Sequence, residues 1–169
     1  MRIGLIGQVR RVWAPRGVKV VQKVEYRREW AYLNLAVNGV TGELHWGWTK
    51  SMKAEAIASI VQQWAEKGVE VVVWDRAPGH RGSAYQGITV KRIQQPAYSP
   101  ELNPAERIFE YLRSKIEGEM YGTIAAKQAA VEAALRELAA APHKVRSLAG
   151  WNWIRRSVAG LQQPNTAFQ

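Results

Sequence analysis

The stretch Val69-Glu70-Val71-Val72-Val73-Trp74-Asp75 decides the fold of this chain. Its apolar residues run on without alternation, which is typical of a central strand covered on both faces by helices. Asp75 ends the run and is the only aspartate in the sequence. Ligands of open α/β sheets gather at the carboxyl ends of strands, so this position is a candidate site. An aspartate after a strand can also be an ordinary turn residue.

A second stretch carries another candidate acid, and it reads Tyr98-Ser99-Pro100-Glu101-Leu102-Asn103-Pro104-Ala105-Glu106-Arg107. Asn103 followed by Pro104 predicts a helix start, with Glu106 in its first turn. The carboxylate of Glu106 could complete this capping box, or it could join Asp75 in a metal site. Magnesium and manganese prefer carboxylate and water ligands, and pairs of such ions promote phosphoryl transfer.

The remaining pattern predicts a mixed sheet with flanking helices. Two strands, Trp30–Val37 and Glu43–Trp48, flank an Asn-Gly turn and predict an antiparallel hairpin. Ser51 is the expected cap of a helix whose buried stripe is Ile57, Ile60, Val61 and Trp64. Further elements are expected as strands at 18–26 and 88–93, a short helix or turn at 79–85, and helices at 104–117, 123–141 and 145–158.

Composition restricts the partners of the chain. Lys and Arg number 24 against 14 Asp and Glu, which gives a formal net charge of +10 and favours a polyanion such as nucleic acid. Arg10, Arg11 and Arg16 surround Trp13, an arrangement that suits a phosphate backbone or an edge strand with solvated arginines. The absence of cysteine excludes disulfides and thiolate metal sites. No apolar run approaches the length of a membrane span, so a cytoplasmic protein without membrane contact is expected.

The block Asp75-Arg76-Ala77-Pro78-Gly79-His80, taken with the stretch 98–107, resembles the DDE endonuclease domain of bacterial insertion-sequence transposases related to the mariner group. In that family, an Asp-Asn-Ala-x-x-His block ends the strand that bears the second catalytic acid. A Ser-Pro-x-Leu-Asn-Pro-x-Glu block carries the third acid. The segment 10–17 is similar to the family's arginine-tryptophan-glycine stretch, so the resemblance covers nearly the whole chain.

The resemblance implies an α/β, ribonuclease H-like fold over residues 1–160, followed by a flexible tail at 161–169. It implies that Asp75 and Glu106 are catalytic ligands of Mg²⁺ or Mn²⁺, with two ions in the intact family site. His80, Asn103 and Arg76 are possible accessory residues, and Arg76 stands where the family usually has Asn. His80 could approach the metal or the phosphate, or it could pack after the turn. The expected DNA contacts are Arg10, Arg11, Arg16, Arg107 and Arg113.

The implied chemistry is hydrolysis of a DNA phosphodiester at insertion-sequence ends, followed by attack of the freed 3′ hydroxyl on target DNA. The family's first catalytic aspartate is expected just ahead of Met1. We therefore expect a truncated domain that lacks its first central strand and is impaired in catalysis. Such a domain is expected to form a homodimer or to associate with an upstream fragment. Two alternatives stay open: a non-catalytic DNA-binding remnant, and a structural ribonuclease H-like subunit.

Overall fold

The structure is a computed structural model that describes residues 1–6, 13–21 and 25–161. Three short 3₁₀ turns, at Pro78–His80, Ser83–Tyr85 and Pro100–Leu102, connect the longer elements. The strands and helices, in chain order, are β1 Arg2–Gly4, β2 Trp30–Val37, β3 Leu44–Thr49, α1 Ala54–Glu66, β4 Val71–Trp74, β5 Lys91–Gln94, α2 Ala105–Ile116, α3 Ile124–Ala139, α4 Pro142–Ala149 and α5 Asn152–Leu161.

A three-stranded antiparallel sheet, in the order β1-β2-β3, forms one half of the scaffold. The predicted hairpin is confirmed, and Leu33 pairs with Trp48 in its register. Asn38 closes the turn, because its side-chain oxygen accepts the backbone N–H groups of the two residues that follow Gly39. Gly42 has a φ of +83°, and a Cβ there would overlap the backbone of Pro142. The hairpin end therefore packs directly on the start of α4.

The second sheet contains β4 and β5, which run parallel. The prediction that β4 is covered on both faces is wrong. Val72 and Trp74 pack beneath α1, whereas Val71 and Val73 are 39% and 44% exposed. Their face borders a cavity of about 1250 Å³ that β1 also lines. The valine run carries apolar side chains on both faces, but in the described part of the chain a helix packs on only one of them.

The main core lies between the three-stranded sheet and the helices α2, α3 and α4. The largest of its completely buried members are Leu33, Ile108, Leu112, Leu135 and Leu138. Burial of each such side chain contributes about 1.5–3 kcal/mol relative to exposure. The predicted stripe of α1 forms a smaller core with β4 and Tyr85. None of the helices in the described ranges is both long and apolar enough to cross a membrane.

Several local predictions are wrong. Residues 18–21 and 25–26 form no strand, and Val18, Val20, Val21 and Tyr26 are exposed. Alternation alone therefore did not secure a partner strand. Helix α1 begins at Ala54 after Lys53, without a side-chain cap, so Ser51 is not its N-cap.

The chain start and the last helical segment also differ from expectation. A short first strand is present, and its Ile3 pairs with Ala31 of β2. The segment 145–158 is two helices rather than one. They separate at Gly150, where a Cβ would overlap the carbonyl oxygen of Gly39, so the hairpin turn and the helix break depend on one close backbone approach.

Candidate metal site and nucleic-acid cleft

Asp75 directly follows β4, at the carboxyl end of that strand. Its side-chain oxygen Oδ1 accepts the backbone N–H of Ala77 at 2.9 Å, which turns the chain away from the sheet. The neighbouring Arg76 is held by Nε, which donates to the carbonyl oxygen of Gln95 at 3.0 Å. The Gln95 N–H in turn donates to the carbonyl oxygen of Trp74 at 2.8 Å, continuing the parallel ladder. Pairing of β4 with β5 thus sets the direction of Asp75.

His80 lies against the same carboxylate. Its Nδ1 is 2.7 Å from Asp75 Oδ1, and its ring stacks on Trp74 with centroids 4.5 Å apart and planes 1° apart. The side chain of His80 is only 15% exposed, while that of Asp75 is 58% exposed. The stacked ring therefore restrains one oxygen of Asp75. Of the two roles expected for His80, this geometry matches packing after the turn, with an added orienting contact.

Glu106 lies in the first turn of α2. Helix α2 begins at Ala105 with Pro104, rather than the predicted Asn103, at its N-cap, but Asn103 Oδ1 accepts the N–H of Ala105 at 3.0 Å. The N–H of Asn103 donates to the carbonyl oxygen of Pro100 at 3.0 Å rather than to Glu106. The reciprocal half of a capping box is therefore not formed. Among the described residues, the Glu106 carboxylate has no hydrogen bond or ion pair.

The two acids meet at one cleft of about 440 Å³, which we call the acid cleft. It lies between the end of β4 and the start of α2. Its twelve lining residues include Asp75, Glu106, Arg76, Arg81 and Tyr98. The larger cavity between β1 and β4 also reaches both carboxylates.

The pKa of the Met1 amino group is also affected by both acids. Burial lowers its pKa to about 6, and the negative charges of Glu106 and Asp75 oppose that shift, while Arg113 adds to it. The group donates to the carbonyl oxygen of Leu33 at 2.6 Å. One point at the start of β1 therefore lies in the electric field of both carboxylates.

The donor set suits a hard divalent cation, because its members are carboxylates without sulfur. Glu106 and the remaining oxygen of Asp75 are not engaged by other groups in the described ranges. The same ranges hold no cluster of three or more His, Cys, Asp or Glu side chains that could bind a metal ion. The acid cleft thus offers two carboxylates that could bind one ion, and water or substrate oxygens would complete its coordination.

The predicted arginines lie in different places. Arg113 is on α2, half-buried, and its positive charge lowers the pKa of the Met1 amino group, whereas Arg107 pairs with Glu110 at 2.9 Å and covers the Trp151 ring at 5.1 Å. Arg16 is exposed in a turn, and Arg10 and Arg11 lie outside the described residues. The structure adds Arg81 and Tyr98 to the acid cleft. Tyr98 stands inside the second motif, but sequence reasoning assigned it no role.

A mixed α/β fold that brings a carboxylate after a strand and a carboxylate at a helix start to one cleft is typical of ribonuclease H-like domains. Residues 1–126 match the family model described as DDE superfamily endonuclease, and the chain belongs to this family. The resemblance seen in the motifs is thereby confirmed. No curated protein matches the sequence.

Two solved structures of Mos1 transposase share the fold. A paired-end complex with the left transposon end has a TM-score of 0.60 at 15% sequence identity, over 95% of this chain and 53% of that chain. The Mos1 strand transfer complex has a TM-score of 0.58 at 16% identity, over 100% of this chain and 54% of that chain. The chain therefore spans about half the length of these transposase chains. At this identity, the likeness confirms the ribonuclease H-like fold.

Proposed function

We propose that this chain is a catalytic domain for metal-dependent cleavage of DNA phosphodiester bonds and strand transfer, with Asp75 and Glu106 as its metal ligands. The observation that carries the proposal is the convergence of these two carboxylates on the acid cleft. Membership in the DDE superfamily endonucleases supports the same reaction class. Mg²⁺ or Mn²⁺, when bound, supplies positive charge that activates an attacking oxygen and stabilises the leaving oxygen.

The chain's own residues prepare the acid cleft for such a substrate. Nδ1 of His80 holds Oδ1 of Asp75, and the same contact fixes the orientation of the second carboxylate oxygen. Glu106 is free of the capping contact that would withdraw it. Arg76 and Arg81 place two guanidinium groups beside the acids, where they can bind phosphate oxygens. Both acids and both arginines thus line the same cleft.

DNA is the proposed substrate. The net charge of +10 favours a polyanion, and the Mos1 structures similar in fold are of a complex with a transposon end and a strand transfer complex. By this analogy, the proposed DNA is an insertion-sequence end and its target. A cytoplasmic location and association with a second copy or an upstream segment are part of the same proposal.

The test measures nicking of a labelled duplex in Mg²⁺ and in Mn²⁺, together with Mn²⁺ binding by calorimetry. Asp75→Asn and Glu106→Gln are expected to abolish metal binding and any nicking. Glu110→Gln is the matched control, because Glu110 lies one turn along α2 and its side chain is 67% exposed. Unchanged metal binding in both acid variants would refute the assignment of Asp75 and Glu106.

A second set of variants tests whether a third acid increases the rate of DNA nicking. Met1 lines the larger cavity together with Asp75 and Glu106, so chains extended ahead of it by one, two or three residues test whether a third acid there completes the site. We expect one extended chain that carries an added Asp to nick DNA faster than the native chain, while its Asn counterpart does not. If native and extended chains alike bind no metal and cut no DNA, the catalytic proposal fails.

A non-catalytic DNA-binding domain is the second candidate, because the described residues supply only two acidic ligands. It is expected to bind DNA with strong salt dependence and little sequence preference. This candidate is favoured if affinity survives Asp75→Ala with Glu106→Ala and no form of the chain cuts DNA. A loss of all DNA binding at moderate salt would exclude it.

A further inference from the structure

Tyr98 has a backbone conformation that side-chain-bearing residues seldom adopt. Its φ is +56°, which makes it the one non-glycine residue with positive φ in the described part of the chain. Its side chain is also completely exposed, with a relative accessibility of 101%. A bulky residue in this region is strained, and such strain persists only where the surroundings enforce it. Burial of the ring does not compensate for the strain, so packing does not explain the conformation.

The loop that carries Tyr98 is fixed at both ends. Gln95 is buried, with 6% exposure, and its side-chain amide donates to the carbonyl oxygen of Leu102 at 3.1 Å. The hydroxyl of Ser99 donates to the carbonyl oxygen of Ala97 at 3.2 Å, which closes the loop around the tyrosine. Gln95 follows β5 and Leu102 precedes α2, so the loop spans the gap between these two elements. The ring is held outward by a restrained backbone.

The exposed ring lies in charged surroundings. Tyr98 lines the acid cleft together with Arg76 and Arg81. Both guanidinium groups are anchored, Arg76 on the carbonyl oxygen of Gln95 at 3.0 Å and Arg81 on that of Arg76 at 2.9 Å. Sites for single-stranded nucleic acids combine aromatic platforms, on which bases stack, with a positively charged groove that follows the backbone. The acid cleft has both components beside its two carboxylates.

We infer that Tyr98 stacks on an unpaired base of the bound DNA, while Arg76 and Arg81 hold the phosphates that flank it. The ligand is a DNA strand with unpaired nucleotides next to the bond at the acids, rather than an uninterrupted duplex. The inference rests on the proposed function for the placement of the strand. It adds a base-binding residue and a structural preference that the paired carboxylates do not imply.

The test compares two fluorescently labelled DNAs by anisotropy without divalent metal: a complete duplex, and the same duplex with three unpaired nucleotides at its centre. We expect Tyr98→Ala to weaken binding of the interrupted duplex about 5- to 150-fold, the range for loss of one stacked base. Binding of the complete duplex is expected to change less than twofold. Tyr98→Phe keeps the ring and is expected to retain the preference.

Two further variants separate stacking from backbone strain and from general surface effects. Tyr98→Gly relieves the positive φ and removes the ring, so it is expected to bind like Tyr98→Ala while unfolding at an equal or higher temperature. Tyr26→Ala removes another exposed tyrosine, outside the acid cleft, and is expected to bind like the native chain. The inference is overturned if Tyr98→Gly keeps the native preference, or if Tyr98→Ala weakens both DNAs equally.

The outcome is independent of the cleavage assays. Because binding is measured without metal, a preference that depends on Tyr98 can be present in a chain that cuts no DNA. That result would refute the catalytic proposal and support the role of Tyr98. Metal-dependent nicking together with an unchanged preference in Tyr98→Ala would support the catalytic proposal and refute the role of Tyr98.

Discussion

Replacement of His80 by alanine tests how the acid cleft is held together. The substitution removes the stacking on Trp74 and the 2.7 Å contact with Asp75 Oδ1. Loss of a stacked aromatic pair costs about 0.5–1.5 kcal/mol. The contact with the carboxylate contributes about 0–1 kcal/mol, because Asp75 is more than half exposed and solvent screens the charge. We therefore expect the free energy of unfolding to fall by about 1–2 kcal/mol.

The effect of His80→Ala on metal binding is expected to be larger than its effect on stability. Residues that orient a metal ligand from behind typically contribute about 10- to 100-fold to metal affinity. Urea unfolding followed by tryptophan fluorescence measures the first quantity, and calorimetric titration with Mn²⁺ measures the second. His80→Phe keeps a ring for the stack but loses the nitrogen, so it is expected to recover most of the stability and none of the affinity.

A control and a refuting result complete this experiment. His45→Ala removes another histidine close to an acid, since its Nε2 is 3.1 Å from Glu43 Oε1, outside the acid cleft. It is expected to leave Mn²⁺ affinity unchanged. If His80→Phe binds Mn²⁺ as tightly as the native chain, the nitrogen does not orient Asp75, and the reasoning about the cleft is wrong.

Two further predictions concern the scaffold. Glu132 of α3 accepts the indole N–H groups of Trp46 and Trp48, at 2.9 and 2.7 Å. Glu132→Ala leaves both donors without this acceptor and is expected to cost about 2 kcal/mol in urea unfolding, at roughly 1 kcal/mol per bond. Glu132→Gln should cost less, and a cost equal to that of the exposed control Glu137→Ala would contradict this account. Gly42→Ala adds a clash with Pro142 to the strain of positive φ and is expected to lower thermal stability clearly more than Gly17→Ala, where a Cβ meets nothing within 4 Å. Equal shifts in melting temperature for the two glycine variants would show that the close approach of Gly42 to Pro142 does not affect stability.

Local patterns in the sequence were sufficient for most of the elements. The Asn-Gly turn and its flanking strands formed as predicted, because both the turn conformation and the alternation are written into adjacent residues. The stripe of α1 is buried as its spacing indicated, and the side chain of Asn103 accepts the first N–H of α2, although the helix begins one residue later than predicted. Residues 18–21 and 25–26 form no strand, because an alternating pattern predicts two faces but does not provide a neighbouring strand with which to pair.

The candidate site also has features that the sequence predicted and features that only the folded structure shows. The motifs named Asp75 and Glu106, and the structure brings them to one cleft, although their roles as metal ligands remain predictions. The sequence left open whether Glu106 belongs to a capping box. Only the folded arrangement shows that the N–H of Asn103 donates to the carbonyl oxygen of Pro100, and that the Glu106 carboxylate has no hydrogen bond or ion pair with any other described residue.

By itself, the sequence determined the secondary structure around the two acids, their chemical type and the positive charge that favours DNA, since each depends on residue identity and short-range spacing. Tertiary structure decided which distant segments of the chain contact one another. The pairing of β4 with β5 and the contact of Gln95 with Leu102 join the two motifs around one cleft. The same contacts hold Tyr98 outward and leave Val71 and Val73 uncovered. These properties depend on which surfaces meet, and side-chain periodicity along one segment contains no information about its neighbours.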